Sequence, residues 1–374
     1  GDKAGLGSGF LISADGHVAT NYHVIQSLVD EPEKHRLELV NDTDTALEAT
    51  LIGIDVINDL AIVRLAIGSA RHFKLRTQPI NNGERIYSMG NPHDLGMTII
   101  EGNYNGRVKS SRFERFLFSG SLNSGMSGGP AFDEHGHLVG VNVAKGGEQL
   151  SFLVPAKYLT ELFKRVQGQT EAPDFKAQIT ANLLAEQDTF YDKRISEQWN
   201  AQSFGDLELP KDLNPTMKCW GHNIDNSDNK RAYEAFHQHC TSEEFLYLTD
   251  DFYTGNFAYD FEWMTTKNLN PLQFYTAVQS RFTHNTPDNT YSDTHVSPYA
   301  CKTDFIELDE RRWKGSVCLR SYLNHAGMYD AMLVLGSAHL PDRAAVIRMT
   351  ATGVSRPKAL ALFSKLMRAI KWAR

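Results

Sequence analysis

The chain has 374 residues, 41% of them hydrophobic and 22% charged, with 38 basic against 45 acidic side chains and a formal net charge of −7. At roughly 100–200 residues per domain this length predicts two domains, and the composition excludes collagen-like, coiled-coil and wholly disordered chains. The charge gives no general basic footprint for nucleic acid or an anionic membrane, and no uninterrupted apolar run of about 18 residues exists to span one.

Residues 7–155 hold about a dozen short β-prone runs punctuated by Gly, Asp and Asn, the pattern of an all-β barrel or sandwich. They include 9–13 and 17–20 around Asp15-Gly16, then 59–65, 84–89, 139–143 and 150–154. Asp15-Gly16 predicts a tight hairpin, because Gly accepts the positive φ that such a turn needs. Residues 156–166 carry Tyr158, Leu159, Leu162, Phe163 and Val166 near helical spacing, so a helix is expected to close the β domain. The polar stretch 167–172, followed by Pro173, reads as a linker. Further on, 175–199 and 230–240 predict helices, and the aromatics between Phe245 and Phe282 mark a second core. Strands are expected at 303–308, 315–319, 332–335 and 344–349, and an amphipathic terminal helix at 357–372 through Leu360, Leu362, Phe363, Leu366, Met367 and Ile370. This second part reads as α+β. The expected organisation is a domain at 1–168, a linker or helical connector at 169–200, and a domain at 201–374.

Three segments of the first part carry chemistry: Thr20-Asn21-Tyr22-His23-Val24, Asn58-Asp59-Leu60-Ala61 and Gly125-Met126-Ser127-Gly128-Gly129-Pro130. A serine hydroxyl is a poor nucleophile at neutral pH and needs a base to take its proton. An imidazole does this, and a carboxylate behind it fixes the tautomer and stabilises the imidazolium. His23, Asp59 and Ser127 are the candidates, with Asp55 the competitor for the carboxylate role. Tight turning around Ser127 aims the backbone N–H groups of Gly125 and Ser127 at one point as an oxyanion hole. Gly125-Met126-Ser127-Gly128-Gly129 also matches the G-x-S-x-G elbow of α/β-hydrolases. That elbow needs a helix after the serine and a histidine downstream. Here a hairpin over 130–143 follows, and the matching histidine lies upstream.

Together with Gly7-Ser8-Gly9-Phe10, these segments resemble trypsin-like, chymotrypsin-clan serine peptidases of the HtrA/Deg type, over about residues 5–166 and in the order His, Asp, Ser. The resemblance implies an all-β, chymotrypsin-like double β-barrel. It also implies His23 as base, Asp59 as orienter, Ser127 as nucleophile, and polypeptide substrates, with no cofactor and no catalytic metal. Trypsin-type zymogens switch on when a new N-terminal amine pairs with an Asp just before the nucleophile; Met126 stands there, so that activation is not expected. HtrA-type enzymes lack the same acid, and their oxyanion loop can reorganise with ligand or partner. By resemblance, the pocket for the P1 side chain has Ser121 and Leu122 at its floor, with Val143, Ala144, Lys145, Ser151 and Phe152 as walls. No acid lies among them, so tryptic specificity is disfavoured and a small to medium apolar P1 residue is expected. HtrA enzymes usually add PDZ modules, but no Gly-rich carboxylate loop follows Val166, and the second half resembles no family we can name.

All four cysteines, Cys219, Cys240, Cys301 and Cys318, fall in that half. Cys219–Cys240 and Cys301–Cys318 disulfides are the favoured reading among three possible pairings. Zinc remains open, since Cys219, His222, His237 and Cys240 form C-x2-H…H-x2-C and a helix would put His237 and Cys240 on one face. Free thiols are the third choice. No signal peptide is visible, and Gly1 stands where an initiator Met would, as in a trimmed or processed form. The expected location is extracytoplasmic, periplasmic or secreted, where disulfides persist. The leading expectation is therefore a serine endopeptidase of unfolded proteins. The alternative is a latent or non-catalytic protease scaffold that binds or senses through its C-terminal domain.

Overall fold

The computed structural model describes residues 5–41, 45–68, 70–109, 111–147, 150–169, 172–224, 232–242, 245–284 and 294–373, with backbone alone at 144–147, 224 and 284. Two compact units form, one from Gly1–Asn182 with Leu246–Tyr253 and one from Leu183–Phe245 with Thr254–Arg374.

The first unit is built from strands β1 (Phe10–Leu11), β2 (His17–Thr20), β3 (Glu38–Val40), β4 (Ala46–Asp55), β5 (Leu60–Leu65), β6 (Lys74–Leu75), β7 (Arg85–Gly90), β8 (Thr98–Arg107), β9 (Phe116–Phe118), β10 (Pro130–Phe132), β11 (His137–Gly147) and β12 (Leu150–Pro155). Helices α1 (Tyr22–Asp30) and α2 (Ala156–Val166) complete it. Its first sheet runs β1-β2-β5-β4-β3 and stays open, a half-barrel. The second runs β10-β7-β8-β9-β12-β11, with β11 pairing back onto β10, which closes a six-stranded barrel; β6 adds to it in parallel outside the ring. This is the chymotrypsin-like β architecture expected from the sequence. Asp15-Gly16 makes the β1–β2 turn, with Gly16 at φ +86°. Helix α2 places Leu159, Leu162 and Val166 on one face, against Phe10, Ile52 and Ile62 of the half-barrel. The barrel interior is filled by Ile86, Tyr104, Phe118, Leu122, Met126, Val139 and Leu153.

The second unit is α+β. Its main sheet has the order β15 (Lys218–Ile224), β16 (Glu234–Thr241), β19 (Phe257–Thr265), β23 (Arg343–Ser355), β22 (Met328–Ser337), β21 (Arg311–Ser321) and β20 (Ala300–Leu308). Strands β13 (Asn200–Phe204), β14 (Leu207–Lys211) and β24 (Lys371–Trp372) form a smaller sheet; at the segment Leu246–Tyr253, which belongs to the first unit, β17 (Leu246–Tyr247) pairs with β18 (Tyr253–Thr254). Alternate residues of β23 point to opposite faces: Ala344 and Val346 pack with Phe274, Val278 and Phe282 of α4 (Pro271–His284), while Ala345, Ile347 and Met349 pack with Leu362, Phe363 and Leu366 of α5 (Arg356–Ala369). Helix α3 spans Phe175–Ser196, its residues to Asn182 belonging to the first unit and those from Leu183 to the second.

Two expectations are corrected. The 230–240 segment is not helical in its described part, which forms strand β16 between β15 and β19. A strand turns residues three apart to opposite faces, so His237 and Cys240 do not share one, and the zinc arrangement loses its premise. The terminal helix stops at Ala369, because Lys371 and Trp372 pair with β14 and the Trp372 N–H donates to Asp309 at 2.8 Å. Disulfides join Cys219 to Cys240 and Cys301 to Cys318, each pair directly opposite on neighbouring antiparallel strands. The Cys219–Cys240 loop has a sequence separation of 21. Replacing both by Ala is expected to destabilise the second unit by about 3 kcal/mol through the freed unfolded chain. All five tryptophans lie in that unit, so fluorescence-monitored unfolding reads it directly. A loss under about 1 kcal/mol would mean that β15 and β16 stay associated without the bond.

Candidate active site

Strand β2 ends at Thr20, and the chain turns into α1 at Asn21, whose φ of −85° and ψ of 152° are those of an extended N-cap residue. The Asn21 side chain does not cap the helix. Its Nδ2 donates instead to the Asp59 carbonyl at 2.7 Å, tying the start of α1 to the turn before β5. Asp59 sits in that turn with φ +60°, a left-handed conformation that Asp tolerates better than most residues. Both of its carboxylate oxygens face His23. Oδ1 accepts the His23 backbone N–H at 2.9 Å, and Oδ2 lies 2.7 Å from Nδ1. An ionised carboxylate only accepts, so the ring proton belongs on Nδ1 and Nε2 keeps its lone pair. Asp55 is engaged elsewhere: it holds the Asn58 backbone and side chain at 3.0 Å and faces Arg165 at 3.3 Å.

The His23 side chain is 35% exposed and that of Asp59 20%, open enough for a substrate to approach. Burial pushes the His23 imidazole down, but the Asp59 charge and its hydrogen bond, with Asp250 adding to them, leave it above the ordinary value.

Ser127 lies in the turn leading to β10. Gly125 and Gly128 flank it at φ +94° and +84°, and neither could carry a side chain: a Cβ would meet the Asn91 carbonyl at 2.3 Å or the Ser8 carbonyl at 2.3 Å. Met126 is fully buried among Ile86, Phe118 and Leu122, so apolar packing anchors the turn where an ion pair would in a trypsin-type enzyme. The Ser127 hydroxyl donates to the Val143 carbonyl at 3.5 Å. The Gly125 and Ser127 N–H groups have no hydrogen-bond acceptor among the described residues.

Sequence reasoning missed the residues that hold this turn. Ser8 accepts the Asn91 N–H at 2.9 Å through its hydroxyl oxygen and donates to the Gly125 carbonyl at 2.7 Å, while its own N–H reaches the Ser127 carbonyl at 2.8 Å. Buried Asn142 donates to the Met89 and Met126 carbonyls at 3.0 and 3.1 Å and accepts from Ser88 at 2.8 Å. Ser8 stands inside a segment that carried the resemblance, whereas nothing near Asn142 marks it out.

Of the expected pocket residues, Leu122 and Ser151 meet: the buried Ser151 hydroxyl accepts the Leu122 N–H at 3.1 Å. Ser121 and Phe152 are partly buried. The register of β11 on β12 shifts between Asn142 and Ala144, so Val143 has no partner in β12 and turns its carbonyl to Ser127. The side chains of Ala144 and Lys145 lie outside the described residues.

This geometry accompanies a clear family match. Residues 7–141 match the model described as "Trypsin-like peptidase domain". That region is therefore similar to trypsin-like peptidase domains. The "Probable periplasmic serine endoprotease DegP-like" of Brucella suis biovar 1 is 32% identical over 162 residues, 40% of this chain and 30% of that protein. A relative of the same description in Bartonella henselae is 34% identical over 164 residues, 40% of this chain and 31% of that protein. The chain thus spans about a third of the length of these curated relatives. Among solved structures, the serine endoprotease from Yersinia pestis matches 44% of this chain and 58% of its own, with 25% identity and a TM-score of 0.38.

Proposed function

We propose that the chain is a serine endopeptidase that cleaves polypeptides through an acyl-enzyme, with Ser127 as nucleophile, His23 as general base and acid, and Asp59 orienting His23. The observation that carries this reading is the engagement of both Asp59 carboxylate oxygens with His23. With Nδ1–H committed to Asp59, Nε2 holds the lone pair that takes the Ser127 proton. The hydroxyl rotates from the Val143 carbonyl towards His23 as substrate arrives; catalytic hydrogen bonds commonly tighten only in the complex. Attack on the peptide carbonyl creates an oxyanion for the Gly125 and Ser127 N–H groups, each such donor being worth about 2.7–4 kcal/mol in the transition state. Protonated His23 then passes its proton to the leaving amine, and water repeats the sequence to release the acyl group.

Substrate lies extended beside Val143, Ala144 and Lys145, with its main chain bonding to β11. The neutral surroundings of Ser121, Leu122 and Phe152 support a small to medium apolar P1 residue. The name "periplasmic" borne by the relatives, with two disulfides in the second unit, supports an extracytoplasmic location. Among the described residues no helix is long and apolar enough to cross a membrane.

A second reading, a protease scaffold that binds without cleaving, draws on the Ser127 hydroxyl facing Val143. A fluorophosphonate separates the two. We expect a single adduct, located on Ser127 by mass spectrometry, and digestion of an unfolded protein mainly after Ala, Val or Leu. Absence of any adduct would favour the scaffold, and dominant cleavage after Arg or Lys would overturn the pocket assignment.

A further inference from the structure

The peptidase unit contains a piece of chain far outside the family match. Leu246–Tyr253 belongs to it, although the strands on either side in sequence, β16 and β19, belong to the other unit. The segment is a tight hairpin. The Leu248 N–H donates to the Phe252 carbonyl at 2.8 Å, and the Thr249 hydroxyl bridges the tip, donating to Asp251 at 2.7 Å and accepting the Phe252 N–H at 3.1 Å. Leu246, Leu248 and Phe252 are buried, so packing fixes the hairpin in place, and Asp250 stands exposed at its tip.

The hairpin docks on α1. The buried Tyr22 hydroxyl donates to the Leu248 carbonyl at 3.0 Å, and buried Gln26, through Nε2, donates to the Asp250 carboxylate. Tyr22 and Gln26 are four residues apart, hence on one face of α1, and His23 lies between them in sequence, one turn before Gln26. Among the described residues, two charged groups act on His23: Asp59 from the turn before β5, and Asp250 from the hairpin.

We propose that Asp250 is a positioning residue for His23, holding α1 through Gln26 and setting a second negative charge opposite the imidazole that Asp59 already orients. This rests on the reading of His23 as the general base. Asp59 and Asp250 then act differently: the first makes direct hydrogen bonds, and the second acts through the helix and through space. The charge favours the imidazolium formed in each proton transfer, and the Gln26 contact limits rotation of α1 about its axis.

Two variants separate these effects. Asp250→Asn keeps an acceptor for Gln26 and removes the charge. The acid limb of the Ser127 fluorophosphonate labelling rate is expected to move to lower pH by a few tenths of a pH unit, the scale of a partly screened charge pair. The NMR titration midpoint of the His23 ring, followed in Ser127→Ala protein, is expected to move by the same amount. Gln26→Met keeps the charge and removes the bond; it is expected to slow labelling several-fold at the optimum without moving the midpoint. Asp251→Asn, at the neighbouring carboxylate, is expected to move neither. A midpoint unchanged in Asp250→Asn, or shifted equally in Asp251→Asn, overturns the proposal. Failure of the unsubstituted protein to label at Ser127 would instead refute the peptidase reading, while the His23 midpoints would still report whether Asp250 acts on the ring.

Discussion

Ser127→Ala is expected to lower kcat on an unfolded-protein substrate about 10⁶-fold, and Asp59→Asn about 10⁴-fold, the scales seen when a nucleophile or an orienting carboxylate is removed from other triads. The second substitution is the more informative. Asn at position 59 still offers one oxygen to the His23 backbone N–H, which Asp59 now holds at 2.9 Å, so α1 keeps its attachment. The NH2 group then faces Nδ1 and drives the ring proton to Nε2, where the lone pair is needed. Geometry survives and the base is lost. The combined Ser127→Ala/Asp59→Asn protein should be no slower than Ser127→Ala alone, because residues acting as a unit do not add. A tenfold or smaller loss in Asp59→Asn would sink the assignment of Asp59 as orienter.

The same pair sets the pH dependence. In the proposed mechanism His23 acts as a base only when neutral, and its ionisation lies above the ordinary imidazole value because Asp59, helped by Asp250, outweighs burial. The proposed activity is therefore expected above that raised value and should be lost as pH falls through it, which the pH profile of Ser127 labelling measures. The linkage to stability runs the other way. A folded-state value raised above the unfolded one stabilises the protonated protein, fully so below the unfolded value near 6.5, and this contribution fades as pH rises through the folded value.

His23, Asp59 and Ser127 were legible because each sits in a short segment with local punctuation, and because their order along the chain is a pattern in itself. A turn favours Asp59 over Asp55 for the proposed role: Asp55 caps that turn through Asn58, which leaves Asp59 at its end facing α1. The bonding roles of Ser8 and Asn142 were invisible for the opposite reason. Their roles consist of bonds to Gly125, Met126 and Ser127 across long sequence separations, and a buried Ser or Asn carries no local mark of such partners. Strand β16 differs from the helix expected at 230–240, which would have put His237 and Cys240 on one face. Sheet pairing decides its form: Cys240 faces Cys219 on β15, and the strand bonds to β19 along its whole length. Nothing in the composition of Leu246–Tyr253 sets it apart from its neighbours either. Its place in the first unit comes from the bonds of Tyr22 to the Leu248 carbonyl and of Gln26 to Asp250.

The largest expected effect on stability lies in the second unit, at the ion pair between Arg320 and Asp330. Asp330 sits on β22 where the register on β23 shifts between Tyr329 and Ala331, and it is fully buried, with Arg320 only 3% exposed. One carboxylate oxygen accepts Nε and a terminal nitrogen of Arg320, both at 2.8 Å. The other accepts the Tyr322 hydroxyl at 2.6 Å and the Gly353 N–H at 3.3 Å. The guanidinium also lies over the Tyr299 ring, 4.7 Å from its centroid. Taking two charges out of water is costly, and this network offsets the cost by giving the carboxylate four donors. Asp330→Ala leaves the Arg320 charge, the Tyr322 hydroxyl and the Gly353 amide without that acceptor. It is expected to destabilise the unit by about 3–5 kcal/mol, far more than any surface substitution. Arg320→Met should cost a similar amount by stranding the carboxylate. Combining Arg320→Met with Asp330→Leu should cost less than the sum of the single changes by about 0.5–3 kcal/mol, since neither charge is then left unpaired. Denaturant unfolding followed by tryptophan fluorescence measures all three, because every tryptophan lies in this unit. Additive losses would mean that the two residues contribute by packing rather than as a pair.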